Sequence, residues 1–111
     1  MNDKIKKWLF DILSSINEIE SYFITNKRDF FEFQQNIMLK RAIERDLEII
    51  GEAVNRILKE DDSFQISNAR KIIGLRNQII HAYDNIDTEL IWGIVINSIP
   101  QLKIEIEELL D

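Results

Sequence analysis

The stretch Arg41-Ala42-Ile43-Glu44-Arg45-Asp46-Leu47-Glu48-Ile49-Ile50-Gly51-Glu52-Ala53, continued by Val54 and Ile57, decides the fold. Ile43, Leu47, Ile50, Val54 and Ile57 recur every three or four positions, which puts them on one stripe of a helix with 3.6 residues per turn. Glu44, Glu48 and Glu52 form a ridge along the flank of that stripe. Such a ridge is ordinarily a solvated face, with pairs such as Glu52 to Arg56 and Arg41 to Glu44 each worth about 0.2 to 0.5 kcal/mol. That reading is favoured for Glu44 and Arg41. For Glu48 and Glu52 a cation on a neighbouring helix is an equal alternative.

Working outward, Asp29 followed by Glu32 gives a capping-box-like start to this second helix, which should run to about Leu58. Before it, Ile5, Trp8, Leu9, Ile12, Ile16, Ile19 and Phe23 predict a first helix from about Asn2 to Phe23, broken by Thr25 to Arg28. After it, Lys59 to Ser67 reads as a polar loop anchored by Phe64 and Ile66. Ser67 or Asn68 can cap a third helix ending near His81. Tyr83-Asp84-Asn85-Ile86 forms the next break, and Asp87 caps a fourth helix with Leu90, Ile91, Ile94 and Val95 on its core face. Pro100 kinks or restarts that helix, and Ile99, Leu102, Ile106 and Leu109 mark a short fifth one. The expectation is one all-α domain over residues 1–111, an up-and-down four-helix bundle with a short C-terminal fifth helix.

Composition narrows the function. The 111 residues are 45% hydrophobic, enough for one core without staples. With no cysteine and a single histidine, disulfides, thiolate sites and His-rich metal centres are excluded or disfavoured, while a carboxylate-bound magnesium is not. Neither a signal peptide nor a membrane span is legible, so a soluble cytoplasmic protein is expected. The net charge of -6 argues against a nonspecific nucleic-acid coat. The charge is nevertheless segregated: Arg70, Lys71 and Arg76 precede His81, whereas acid gathers at Glu60-Asp61-Asp62 and at Glu105, Glu107, Glu108 and Asp111.

The segment Arg76-Asn77-Gln78-Ile79-Ile80-His81-Ala82-Tyr83 carries the chemistry. On a helix, Ala69, Ile72, Ile73, Leu75, Ile79 and Ile80 form an apolar arc that contains Arg76, with Asn77 and His81 together on its flank. A buried guanidinium needs a carboxylate, a partner subunit or an anionic ligand. A histidine at a helix C-terminus often serves only the dipole. Against that bland reading stand three local rule violations in four positions: Gly74, Arg76 in the arc, and Asn77. Arg76 and His81 point about 140° apart on one helix. They therefore meet only at the helix edge or across a dimer.

The pattern R-N-x-x-x-H-x-Y, with Arg41 to Ala53 upstream and Ile86-Asp87-Thr88-Glu89-Leu90-Ile91-Trp92 downstream, resembles the HEPN superfamily. It is most similar to the HepT-like toxins encoded beside a minimal nucleotidyltransferase. The specific match covers about Arg41 to Trp92. One departure is Asn68-Ala69, where the family pattern opens its third helix with a Pro-aromatic pair. The resemblance implies a metal-independent endoribonuclease without a cofactor, acting as a homodimer or higher oligomer on RNA in a shared cleft. It implies that His81 moves the proton, Arg76 holds the phosphate and Asn77 positions the histidine or the phosphate. It further implies that the nucleotidyltransferase antitoxin silences the nuclease by attaching AMP to Tyr83. From the residues alone, ring packing of Tyr83 is an equal reading. Two alternatives stay open: a non-catalytic dimerisation or nucleotide-binding module that docks a nucleotidyltransferase and, more weakly, a metal-dependent phosphohydrolase built on the glutamate ridge. Trp8, Trp92, Phe30, Phe31 and Phe33 are assigned to core and interface and not to base stacking, with at least one of the three phenylalanines exposed or in a subunit contact.

Overall fold

Asn2 opens the first helix by accepting the Ile5 N–H on its side-chain oxygen at 2.8 Å, which satisfies one of the free donors of a helix start. The computed structural model describes residues 1–81 and 87–111, and every regular element among them is helical. The helices are α1 (Asp3–Thr25), α2 (Phe30–Gln35), α3 (Ile37–Glu60), α4 (Ala69–His81), α5 (Thr88–Gly93) and α6 (Ile99–Leu110), the last two joined by a π-helical stretch, Ile94–Ser98. The chain forms the expected all-α bundle. The expected break at Tyr83 to Ile86 lies outside the described residues.

Two boundaries correct the sequence reading. The helix expected from Asp29 to Leu58 is divided at Asn36, whose backbone is extended (φ -99°, ψ 96°). Asn36 closes α2 through its N–H to the Phe33 carbonyl at 3.2 Å, and opens α3 by accepting the Leu39 N–H at 3.0 Å. A short amide side chain that competes for backbone donors favours caps over helix interiors. Hydrophobic spacing on either side does not register it. Pro100, in turn, does not restart the helix. Gly93, Ile94, Ser98 and Ile99 all keep right-handed helical backbone, and the Ile99 N–H reaches the Ile94 carbonyl, five residues back. The wider turn just before Pro100 accommodates a ring that has no N–H to give and would crowd the carbonyl four residues earlier.

α3 is the central helix: α1 and α4 both pack on it, and α6 returns against α1. Ile12 and Ile16 of α1, Ile43, Ile50 and Ile57 of α3, and Leu102 and Ile106 of α6 are fully buried in the core they share. At one end Trp92 meets the rings of Phe33, Phe23 and Phe30 at 4.9, 5.9 and 6.2 Å between centroids. Phe31 is the exposed phenylalanine of its trio.

Two contacts set how the neighbours of α3 approach it. Against α4, Gly51 removes the side chain that would otherwise hold the helices apart. A β-carbon there would overlap Arg76 Cβ, and would stand 2.9 Å from Arg76 Cγ and 3.2 Å from the Ile72 carbonyl oxygen. Against α1, the Tyr22 hydroxyl lies 2.6 Å from Asp46 Oδ2 and 2.8 Å from Glu18 Oε1. A phenol has one proton, and two oxygen contacts of that length need two. The trio is fully hydrogen-bonded only when one carboxyl is protonated. Asp46, 1% exposed, is placed to take that proton. Burial pushes its pKa up to about 6, Glu18 adds to the rise, and the Tyr22 hydrogen bond and Arg45 partly oppose it.

Both contacts predict measurable behaviour. Helix propensity alone favours alanine over glycine by about 1 kcal/mol. At Gly51 the overlap with a β-carbon and a backbone oxygen forces α4 outward at a cost of about 1 to 3 kcal/mol. Gly51→Ala should therefore lower stability in urea titration. Gly93→Ala, whose β-carbon meets nothing within 4 Å among the described residues, should raise it. A neutral or stabilising Gly51→Ala would contradict the close approach. For Asp46, the folded chain holds the proton more tightly than the unfolded chain. Its contribution is complete below about pH 4 and is lost as the pH rises through about 6. Asp46→Asn, which supplies a permanent donor, should gain up to about 3 kcal/mol above pH 7 and little below pH 4. A melting-temperature difference that is flat across this range would exclude the bound proton.

Candidate active site

The start of α4 is fixed by Ser67 and Asn68, the two residues expected to cap it. Ser67 gives both its N–H and its hydroxyl to Glu105 of α6, at 2.8 and 2.6 Å. Asn68 adopts the left-handed region (φ 61°), which asparagine tolerates better than most residues. Its carbonyl accepts the Ile72 N–H at 3.0 Å. This left-handed step aims α4 where the family pattern uses a Pro-aromatic pair.

Arg76 then falls on the side of α4 that faces α3, half-buried as its place in the apolar arc requires. Its counterion among the three glutamates of the ridge is Glu52: Nη2 lies 2.6 Å from Glu52 Oε2. Glu52 is shared, because its Oε1 accepts from Arg56 Nε at 2.9 Å. Glu44 makes the expected pair with Arg41 at 3.0 Å but is buried rather than on a solvated face, because α3 is covered on that side, and Glu48 stands 3.6 Å from Arg45. Arg76 also donates from Nη1 to Asn77 Oδ1 at 3.1 Å. Its Nε is buried and has no partner among the described residues. Asn77 thus serves the arginine rather than the histidine.

His81 lies exposed in the last turn of α4. It belongs to an exposed stripe with Arg70, Gly74 and Asn77, spaced by four, three and four. The structure brings Arg76 and Asn77 together and leaves His81 on a face different from that of the Arg76 guanidinium, as the 140° offset requires. Tyr83 lies outside the described residues.

A feature that motif reading missed adjoins Arg76. A groove of about 310 Å³ runs between α1 and α3 beside it, lined by Trp8 and Asp11, by Arg45, Glu48 and Glu52, and by Arg56 with Arg76. The signal was present: positions 45, 48, 49, 52, 53 and 56 share one face of α3, set beside the apolar stripe. What periodicity does not give is which side of α1 meets that face.

Comparison with known proteins bears on this site. The family model described as ribonuclease HepT-like matches residues 12–109. A Methanocaldococcus jannaschii protein named "Putative RNase MJ1380" is 40% identical over 105 residues, covering 93% of this chain and 94% of that protein. A Thermococcus cleftensis protein named "Probable ribonuclease HepT" is 33% identical over 105 residues, covering 94% of each. No solved structure matches. The matched span takes in α3, α4 and the Arg76, Asn77 and His81 positions they carry, and the chain belongs to the HepT-like ribonuclease family of the HEPN superfamily.

Proposed function

We propose that the chain is the toxin of a toxin-antitoxin pair: a metal-independent cytoplasmic endoribonuclease that works as a homodimer or higher oligomer and is silenced when a minimal nucleotidyltransferase attaches AMP to Tyr83. The observation that carries this reading is Arg76. It is a half-buried cation held by Glu52 and Asn77, with one donor unused, a turn and a half before an exposed histidine. In the proposed reaction His81 takes the proton of a ribose 2′-hydroxyl. The O2′–P bond forms as the P–O5′ bond breaks, leaving a 2′,3′-cyclic phosphate and a 5′-hydroxyl that takes up a proton. Arg76 neutralises the charge building on the non-bridging oxygens, exchanging Glu52 for phosphate.

Gly74 supports a partner at the exposed stripe. It lies mid-helix, costs about 1 kcal/mol relative to alanine, and a β-carbon there would meet nothing within 4 Å among the described residues. A second copy of α4 packed against that open space would bring the two His81 side chains to one cleft. AMP on Tyr83, two residues past His81, would place a phosphate where these arginines act. One observation favours the non-catalytic module instead: Asn77 is committed to Arg76, so it does not orient the imidazole.

The deciding experiment incubates unmodified protein with labelled RNA in EDTA. Wild type should cleave and leave 2′,3′-cyclic ends, while His81→Ala should lose at least about 100-fold, the reach of general acid-base catalysis. Arg76→Ala should lose a similar factor. Inert wild type, shown by intact mass to carry no AMP, would instead support the binding module. Tyr83→Phe should cleave RNA but escape silencing by the nucleotidyltransferase. Continued silencing would refute modification at that residue.

A further inference from the structure

We propose that the groove between Trp8 and Arg76 is the track that leads an RNA strand to His81, with Trp8 stacking a base and Arg45 and Arg56 meeting phosphates. The proposal rests on the ribonuclease reading above. Arg45 and Arg56 stand eleven residues apart on one helix face, about 16 Å along α3, with Arg76 reaching in between them from α4 at the level of Gly51 and Glu52. Because consecutive long helices of an up-and-down bundle run in opposite senses, the step from Arg76 to His81 heads toward the Arg45 end of the groove. Three guanidiniums in file along the groove describe a path rather than a point, and His81 lies outside its lining, on another face of α4.

Charge and shape both suit a single strand. The chain as a whole carries -6, yet in the groove Arg45, Arg56 and Arg76 balance Asp11, Glu48 and Glu52, and Lys7 pairs with Asp11 at its edge. Glu52 divides one negative charge between Arg56 and Arg76, so neither is neutralised, and Arg45 holds Glu48 only at 3.6 Å. Phosphate can take the place of these carboxylates without moving the backbone, because the side chains of Arg45 and Arg56 are 68% and 57% exposed. Trp8 packs partly against the core and presents its remaining surface to the groove. An aromatic ring beside a file of cations is the arrangement that binds single strands with little sequence preference. Although its position in the first helix assigns Trp8 to the core, its placement gives it a second, solvent-facing role.

The test measures binding, not cleavage. A short unstructured RNA oligonucleotide bearing a fluorophore is titrated in EDTA into His81→Ala protein, followed by anisotropy and by tryptophan fluorescence. RNA should quench tryptophan emission, and Trp8→Phe should abolish the quench, since Trp92 packs against Phe23, Phe30 and Phe33 and does not line the groove. Arg45→Gln with Arg56→Gln, both at exposed positions that fold safely, should weaken binding about tenfold or more and lower the salt slope by about two. RNA that binds with unchanged affinity and slope to these variants would overturn the track while leaving the ribonuclease reading intact. Groove variants that alter self-association but not RNA affinity would overturn it in favour of a subunit interface. Absence of RNA binding by every form would overturn both readings.

Discussion

The contact between Gly51 and Arg76 is the constraint on which the rest of the molecule turns. Two helices carrying side chains at their crossing stand 8 to 10 Å apart. Where one contributes only a hydrogen, the other can lay a long side chain directly across its backbone. Arg76 uses that space: its Cβ and Cγ occupy the place of the absent side chain, and its guanidinium emerges on the far side against Glu52. The same glycine therefore sets the α3 to α4 distance and the direction of the cation. A lysine at position 76 could cross the same gap but not offer a planar fork to a carboxylate and an amide at once. The pairing with both Glu52 and Asn77 is what arginine specifically provides.

Glu52 holds Arg76 without adding much stability. With Arg76 and Glu52 side chains 25% and 33% exposed, their attraction is partly screened, and surface or half-buried pairs typically contribute about 1 kcal/mol or less. That is a modest hold. It keeps the guanidinium extended toward the groove while leaving it exchangeable for an anion of higher charge. A fully buried pair would have locked Arg76 and removed it from any role toward a ligand.

Much of this was legible in the residues, and the parts that were not have a common cause. The stripe on α3 is read directly from spacing, as is the half-buried position of Arg76, because both depend on one helix alone. The caps at Asp29 and Asp87 are equally local and were equally visible. Asn36 escaped because a polar residue in a long helix usually points to solvent, and only the chain path shows that here it ends one helix and begins another. The π-helical stretch before Pro100 escaped for a similar reason: sequence announces the disturbance but not whether the chain breaks or widens. The choice of Glu52 over Glu48, the buried Asp46 to Tyr22 contact and the groove beside Trp8 are relations between helices. They follow from rotation and crossing distance, which periodicity leaves undetermined.

The same central helix carries two different electrostatic solutions on two of its sides. Toward α1, Asp46 is sealed from water next to Tyr22 and Glu18, and the pull of Arg45 does not offset burial, so it is driven toward neutrality. Toward α4, six residues further on, Glu52 stays within reach of water and of two guanidiniums that it can hold. The difference is not in the side chains, both carboxylates on the same helix, but in what the neighbouring helix presents. A carboxylate kept neutral contributes to packing, whereas one kept charged and half-exposed remains available for exchange. α3 thus separates a side on which a carboxylate is driven toward neutrality from one on which carboxylates and guanidiniums stay charged and partly exposed.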